Sequence, residues 1–203
     1  MNALALSYVD KGTAVNDAGS STGSVTPPLP AGLQVGDLMI VICTMRGNGL
    51  FNSGWTEVFQ GQLYPTDNLH KLAIYRKFYQ SGDVAPLIQW SGGGSNQTVI
   101  AQIFAFRGTH PTNPIPDLGS NSGNASQQNI GPITGFTPTI NDGAVIVIGH
   151  KADNWTSVGT LTGDGLTWNE IDEPSTTKGS DAGQVYDYAI YSGSPPTITN
   201  KTF

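Results

Sequence analysis

Every apolar run in this 203-residue chain is the length of a β-strand, and glycine, proline, asparagine or serine closes each one off. Leu38 to Thr44 and Ala144 to Ile148 are continuous apolar runs, Lys71 to Phe78 alternates, Thr98 to Phe106 is β-branched and aromatic, and Val185 to Tyr191 is aromatic-rich. Between them lie clusters such as Ser91-Gly-Gly-Gly-Ser95 and Asn121-Ser-Gly-Asn124, which interrupt regular structure rather than extend it. No stretch carries the 3.6-residue period of a helix. Short strands separated by turn signals, with no helix between them, belong to an antiparallel sandwich or barrel. The expectation is an all-β fold, an antiparallel β-sandwich of jelly-roll type.

The same blocks recur in the same order along the chain. Gly36-Asp37-Leu-Met-Ile, Gly54-Trp55-Thr-Glu57-Val58, Leu72-Ala73-Ile74-Tyr75 and Pro86-Leu-Ile88 are followed by Asp142-Gly-Ala-Val-Ile, Leu166-Thr-Trp168-Asn-Glu170-Ile171, Tyr188-Ala189-Ile190-Tyr191 and Pro195-Pro196-Thr-Ile198. The offsets drift from 105 (Asp37 to Asp142) to 113 (Trp55 to Trp168) to 116 (Ala73 to Ala189), as loop insertions between fixed strands produce. Residues 1–30, with Pro27, Pro28 and Pro30, read as an N-terminal strand or docking arm. Residues 31–203 read as the sandwich, in pseudo-repeats of about 31–118 and 136–203. The first repeat ends in a long apolar strand, Thr98 to Arg107, that the second lacks, so a neighbour is expected to donate a strand there or the polypeptide to continue.

Charge and cysteine usage narrow the function. Nine Lys and Arg against fifteen Asp and Glu give a net charge of -6 with the basic residues scattered, which leaves no patch for a phosphate backbone, so nucleic acid is excluded as a partner. No apolar run approaches the roughly 18 residues that span a bilayer. The opening MNALALSYVDKG has no basic leader and does not read as a secretory signal. The single Cys43 excludes an intrachain disulfide. Only 12% of residues are charged, about half the usual share, and Ser, Thr, Asn and Gly replace them, as on extracellular β proteins. Assembly in a cytoplasm with later release reconciles such a surface with the absent export signal, and a virion protein fits.

Five segments then carry a resemblance: Pro30-Ala-Gly-Leu-Gln-Val-Gly36-Asp37-Leu-Met-Ile40, Gly54-Trp55-Thr56, Tyr75-Arg76-Lys77, Phe106-Arg107-Gly108 and Pro114-Ile115. Their order resembles a β-sandwich family common among structural proteins of tailed bacteriophages, most closely over residues 20 to 120. The resemblance implies a virion protein, expected to decorate and stabilise a capsid surface as a homo-oligomer, by analogy a trimer, in contact with other virion proteins. Trp55, Trp168 and Asp37 are then structural core.

Chemistry is sparse. His70, His110 and His150 stand forty residues apart, without the close pairing of a zinc site, and no Gly-x-Ser-x-Gly elbow accompanies them. Cys43 lies mid-strand, where its thiolate is disfavoured. No cofactor is expected; Asp142, Asp153, Asn154, Asp164 and Asn169 offer oxygen enough for Ca2+, but in no recognised loop pattern. Glu170 with Asp172 or Glu173, and Asp181 and Asp187 beyond, could serve a glycosidase, with Glu170 and Asp172 sharing a strand face, although solvated turn acids explain the cluster equally. The expectation is a non-enzyme. A tail-fibre or receptor-binding module reading host polysaccharide is the alternative, with Trp90, Trp155 and Tyr64 as glycan contacts; an extracellular filament or adhesin subunit is the lesser one. The sequons at Asn96, Asn124, Asn154 and Asn200 follow from composition alone.

Overall fold

A computed structural model describes residues 5–19, 22–46, 48–51, 54–64, 67–91, 97–119, 134–151, 155, 157–179 and 181–203. Over these the chain is all-β and every strand pairing is antiparallel. The strands are β1 (Ser7–Lys11), β2 (Val15–Gly19), β3 (Thr22–Val25), β4 (Leu38–Arg46), β5 (Asn48–Phe51), β6 (Thr56–Tyr64) and β7 (Asp67–Phe78). They continue with β8 (Ile88–Ser91), β9 (Gln97–Arg107), β10 (Gly143–Lys151), β11 (Asn169–Asp172), β12 (Ser175–Thr176) and β13 (Ala182–Tyr191).

Three sheets stack. The main sheet runs β1-β9-β4-β7-β6, with β2 also on β9; the second runs β10-β13-β11, with β12 also on β13; the third is the short β3-β8-β5. β4 is apolar from Leu38 to Cys43, where both its edges are paired and both its faces are covered. Met39, Val41, Cys43 and Met45 point to one side, where Val25, Ile88 and Trp90 of the third sheet meet them. Leu38, Ile40 and Ile42 point to the other, against Ala144, Ile146, Ile148, Tyr186 and Tyr188 of the second sheet. The far face of the second sheet carries Val145, Val147, Ala189 and Tyr191 beneath Leu161, Trp168, Ile198 and Phe136. Each apolar layer thus follows from alternation along a strand with two covered faces.

The stack of a six-, a four- and a three-stranded sheet is a sandwich, but its strand order is not the pair of four-stranded sheets of a jelly roll. The N-terminal segment, expected as a strand or docking arm, lies in strands over most of its described residues. Its described residues form β1 and β2 along the outer edge of β9 and β3 against β8, while Leu29 packs into the core. The physical reason is that β9 is buried and apolar, and its amides would otherwise form an open edge.

The two larger sheets share a three-strand order. β4 pairs with β7 and β7 with β6; β10 pairs with β13 and β13 with β11. β6 bulges between Glu57 and Phe59, and β11 bulges between Glu170 and Asp172. The isolated bridge of Ile198 with Phe136 answers the pairing of Ile88 with Val25. With the bulges superposed, Ile74 corresponds to Tyr186, an offset of 112, so the sequence match of Ala73 to Ala189 is four residues out of register.

Candidate functional site

Asp37 closes the corner that starts β4. Its carboxylate, only 2% exposed, accepts from Nε and Nη2 of Arg107 at 2.9 and 2.8 Å and from the Gln34 amide at 2.7 Å. Arg107 also donates to the Gly32 carbonyl at 3.0 Å, and the Tyr79 amide donates to the Asp37 carbonyl at 2.8 Å. Burial by itself would raise the Asp37 carboxyl. The Arg107 guanidinium and the Gln34 amide outweigh it and hold the group below the usual carboxylate range. The pair ties the end of β9 to the start of β4.

The tryptophans divide. Trp90 is 1% exposed, with its ring lying on Gly23 directly across the β3-β8 pair. It cannot present a face to a sugar, and its assignment as a glycan contact is corrected to core. The Gly23 backbone leaves room for the indole, which is why an aromatic in a polar loop context ends inside. Trp155 is half-buried, stacked on Gly183, and donates from Nε1 to the Glu173 carbonyl at 3.4 Å. The side chain of Tyr64 lies outside the described residues. Trp55 is half-buried against the first core cluster, and Trp168 is 8% exposed in the third, donating from Nε1 to the Gly163 carbonyl at 3.1 Å.

The carboxylates do not converge as an i, i+2 pair. The bulge at Ile171 intervenes, so Glu170 stands opposite Asp187 while Asp172 stands opposite Tyr186, on the other face. The shared face expected for Glu170 and Asp172 is therefore corrected. Asp172 faces the main sheet, pairing with Lys11 Nζ at 3.0 Å and accepting from Gln102 Nε2 at 2.5 Å. Glu173 accepts from the Val158 amide at 2.7 Å. Asp187, 0% exposed, accepts from the Leu161 amide at 2.5 Å and, among the described residues, keeps Oδ1 buried without a partner. Burial, with Glu170 and Glu173 nearby, pushes its carboxyl up to about 6 against the Leu161 hydrogen bond. Asp181 sits at a positive φ of 53°. These acids organise turns and layers.

Among the described residues no group of three or more His, Cys, Asp or Glu is arranged to hold a metal ion. Asp164 pairs with Lys201 at 2.5 Å and takes Thr199 Oγ1 at 2.7 Å, Asp142 Oδ1 takes the Gly193 amide at 2.7 Å, and Asp153 and Asn154 lie outside the described residues. His110 Nδ1 accepts from the amides of Thr112 and Asn113, a turn role. Cys43 is fully buried, which pushes its thiol well up. Lys77 pairs with Asp83 at 2.6 Å across its own turn. An open polar groove of about 500 Å3 runs between 160–164 and 199–202, with Lys201 lying over the Trp168 ring at 5.2 Å.

One feature of the second sheet has no counterpart in the first. Among the described residues β10 pairs along one edge only, with β13, from Gly143 opposite Tyr191 to Lys151 opposite Gly183. From Gly143 to Gly149 it carries no charge, and its side chains feed two apolar layers. Natural edge strands are usually blunted by lysine, proline or a bulge, and this one is built like a central strand. Sequence reasoning found the strand and expected a donated strand in the second repeat, without assigning it to this edge; the signal for the edge was the Ala-Val-Ile-Val-Ile run itself. No family model, curated protein or solved structure matches the chain.

Proposed function

We propose that this chain is a non-enzymatic structural protein of a bacteriophage particle, which decorates and stabilises the capsid surface through contact area. The order of segments from Pro30 to Ile115 supports the placement by its resemblance to tailed-phage sandwich proteins. The observation that carries the mechanism is the edge of β10, uncharged from Gly143 to Gly149 and apolar on both faces, a surface suited to pairing with another chain. Of the acids singled out for hydrolysis, Asp172, Glu173 and Asp187 are engaged in an ion pair, side-chain and amide contacts, which supports a structural rather than a catalytic role. In this reading the protein is a homo-oligomer, by analogy a trimer, seated among other virion proteins.

The test is co-sedimentation of the purified chain with particles that lack it, followed by heating or osmotic shock. Saturable attachment that delays genome release is expected; no attachment overturns the capsid assignment. A second reading, binding of a host polysaccharide, is favoured by the open groove lined by Thr160, Thr162, Thr199, Asn200 and Thr202. A glycan array decides it: retention that Thr162→Ala and Asn200→Ala abolish would move the protein to a receptor-binding place.

A further inference from the structure

We infer that the outer edge of β10 takes up a single extended strand of a partner polypeptide, antiparallel to β10, apolar along its length and ending in a basic residue that meets Asp142. The inference deepens the assembly reading above and rests on it.

The first half of the chain supplies the template. β4-β7-β6 and β10-β13-β11 share order, pairing and the place of the bulge, and the second edge of β4 is filled by β9. The second edge of β10 is the equivalent position. β9 shows what such a position accepts: Gln-Thr-Val-Ile-Ala-Gln-Ile-Phe-Ala-Phe-Arg, antiparallel, with alternate side chains in two apolar layers. β10 asks for the same, since Val145 and Val147 lie in one layer and Ala144, Ile146 and Ile148 border the other.

The stacking of the sheets selects a lone strand over a second copy. Main-sheet strands occupy five positions across and second-sheet strands three. β11 and β12 lie over β1 and β2, because Asp172 pairs with Lys11 and Thr176 Oγ1 donates to Asn16. β13 lies over β9 and β4, because Gln184 Nε2 reaches the Ile100 carbonyl and Thr44 Oγ1. The outer edge of β10 therefore runs beneath β7 and β6, whose Leu72, Ile74, Val58 and Phe59 border the same apolar layer. A lone strand added there would extend the second sheet beneath β7 and β6. Two copies joined β10 to β10 with their faces matched would bring both β7 strands into one space.

Charge sets the direction and the end. Arg107, the last residue of β9, meets Asp37, which immediately precedes the first paired residue of β4. Asp142 stands one place before Gly143, the residue that the bulge register matches to Asp37; it is exposed, and its Oδ1 takes the Gly193 amide. At the far end stand His150 and Lys151. An antiparallel strand that ends in arginine places its cation at Asp142, away from Lys151.

The probe is a synthetic peptide of the β9 sequence, Gln97 to Arg107, labelled at its N-terminus, added to the full chain. Saturable binding is expected, with hydrogen-exchange protection appearing at alternate amides of β10. Asp142→Asn, which keeps a side chain tolerant of the positive φ of 53°, weakens that peptide roughly three- to tenfold and leaves a peptide ending in Gln unchanged, the signature of a direct charge contact. Absence of binding, protection confined to β4, or β10 amides already protected on both edges in the free chain would overturn the inference. So would concentration-dependent dimers that protect β10 without peptide, which would make a second copy the occupant. Peptide binding without attachment to particles would retain this inference and remove only the capsid assignment.

Discussion

Val58 and Ile171, 113 residues apart, are each the one extra residue of a β-bulge, and each stands three places after a tryptophan and directly after a glutamate. Both bulges turn the next residue, Phe59 or Asp172, toward the layer between the two large sheets. The bulges thus do the same work in two halves of one chain: they end an outward-facing run and re-aim the strand at the shared core.

Ile171 fills that core at 3% exposure, whereas Val58 is half-buried. Ile171→Ala is expected to destabilise the protein by about 2–4 kcal/mol and Val58→Ala by about 1 kcal/mol, the difference reflecting the cavity each leaves. Urea denaturation measures both, with an unchanged slope showing that the unfolded states are alike.

Gly23 lies under the Trp90 ring, and a Cβ there would come 2.0 Å from the indole. The ring is 1% exposed and has no space to retreat. Gly23→Ala is expected to cost about 1–3 kcal/mol by overpacking, and the same change in a Trp90→Leu background to cost much less. Equal losses in both backgrounds would show that backbone entropy, not the ring, sets the requirement.

The Asp37–Arg107 pair is asymmetric, since the carboxylate is buried and the guanidinium is partly in water. Arg107→Met strands a buried charge and is expected to lower the melting temperature more than Asp37→Asn, which leaves the cation free to be hydrated. Asp37 is held below its ordinary pKa, so its contribution is present above pH 4 and declines as pH falls through the lowered folded value. Both variants lose that acid-side decline, which thermal melts from pH 2 to 5 would display.

Asp187 has the opposite sign. Its folded carboxyl binds a proton at about 6, above the unfolded value, so the folded state holds more protons between pH 4 and 6 and stability falls as pH rises through that window. The decline is on the order of 2 kcal/mol. Asp187→Asn is expected to abolish it; a wild-type stability profile flat from pH 4 to 7 would mean that the carboxyl is solvated.

Much of the architecture is written in local pattern. Alternation along Lys71 to Phe78, the continuous runs at Leu38 and Ala144, and the glycine and proline punctuation between them dictate antiparallel strands with two covered faces, because side chains of a strand point alternately to opposite sides. The Trp-x-Glu-Val and Trp-x-Glu-Ile segments, matched in the sequence, each run into a bulge. Only the folded chain decided the rest. Trp90 became core because Gly23, 67 residues earlier, crosses beneath it. Glu170 and Asp172 parted because a bulge adds half a pleat. Residues 5–19 and 22–25 joined the sheets as β1, β2 and β3 because β9 and β8 offered open edges to them. Alternation says which faces a strand buries, but which edges find partners depends on how the sheets stack, and that is a relation between distant segments that no local pattern contains.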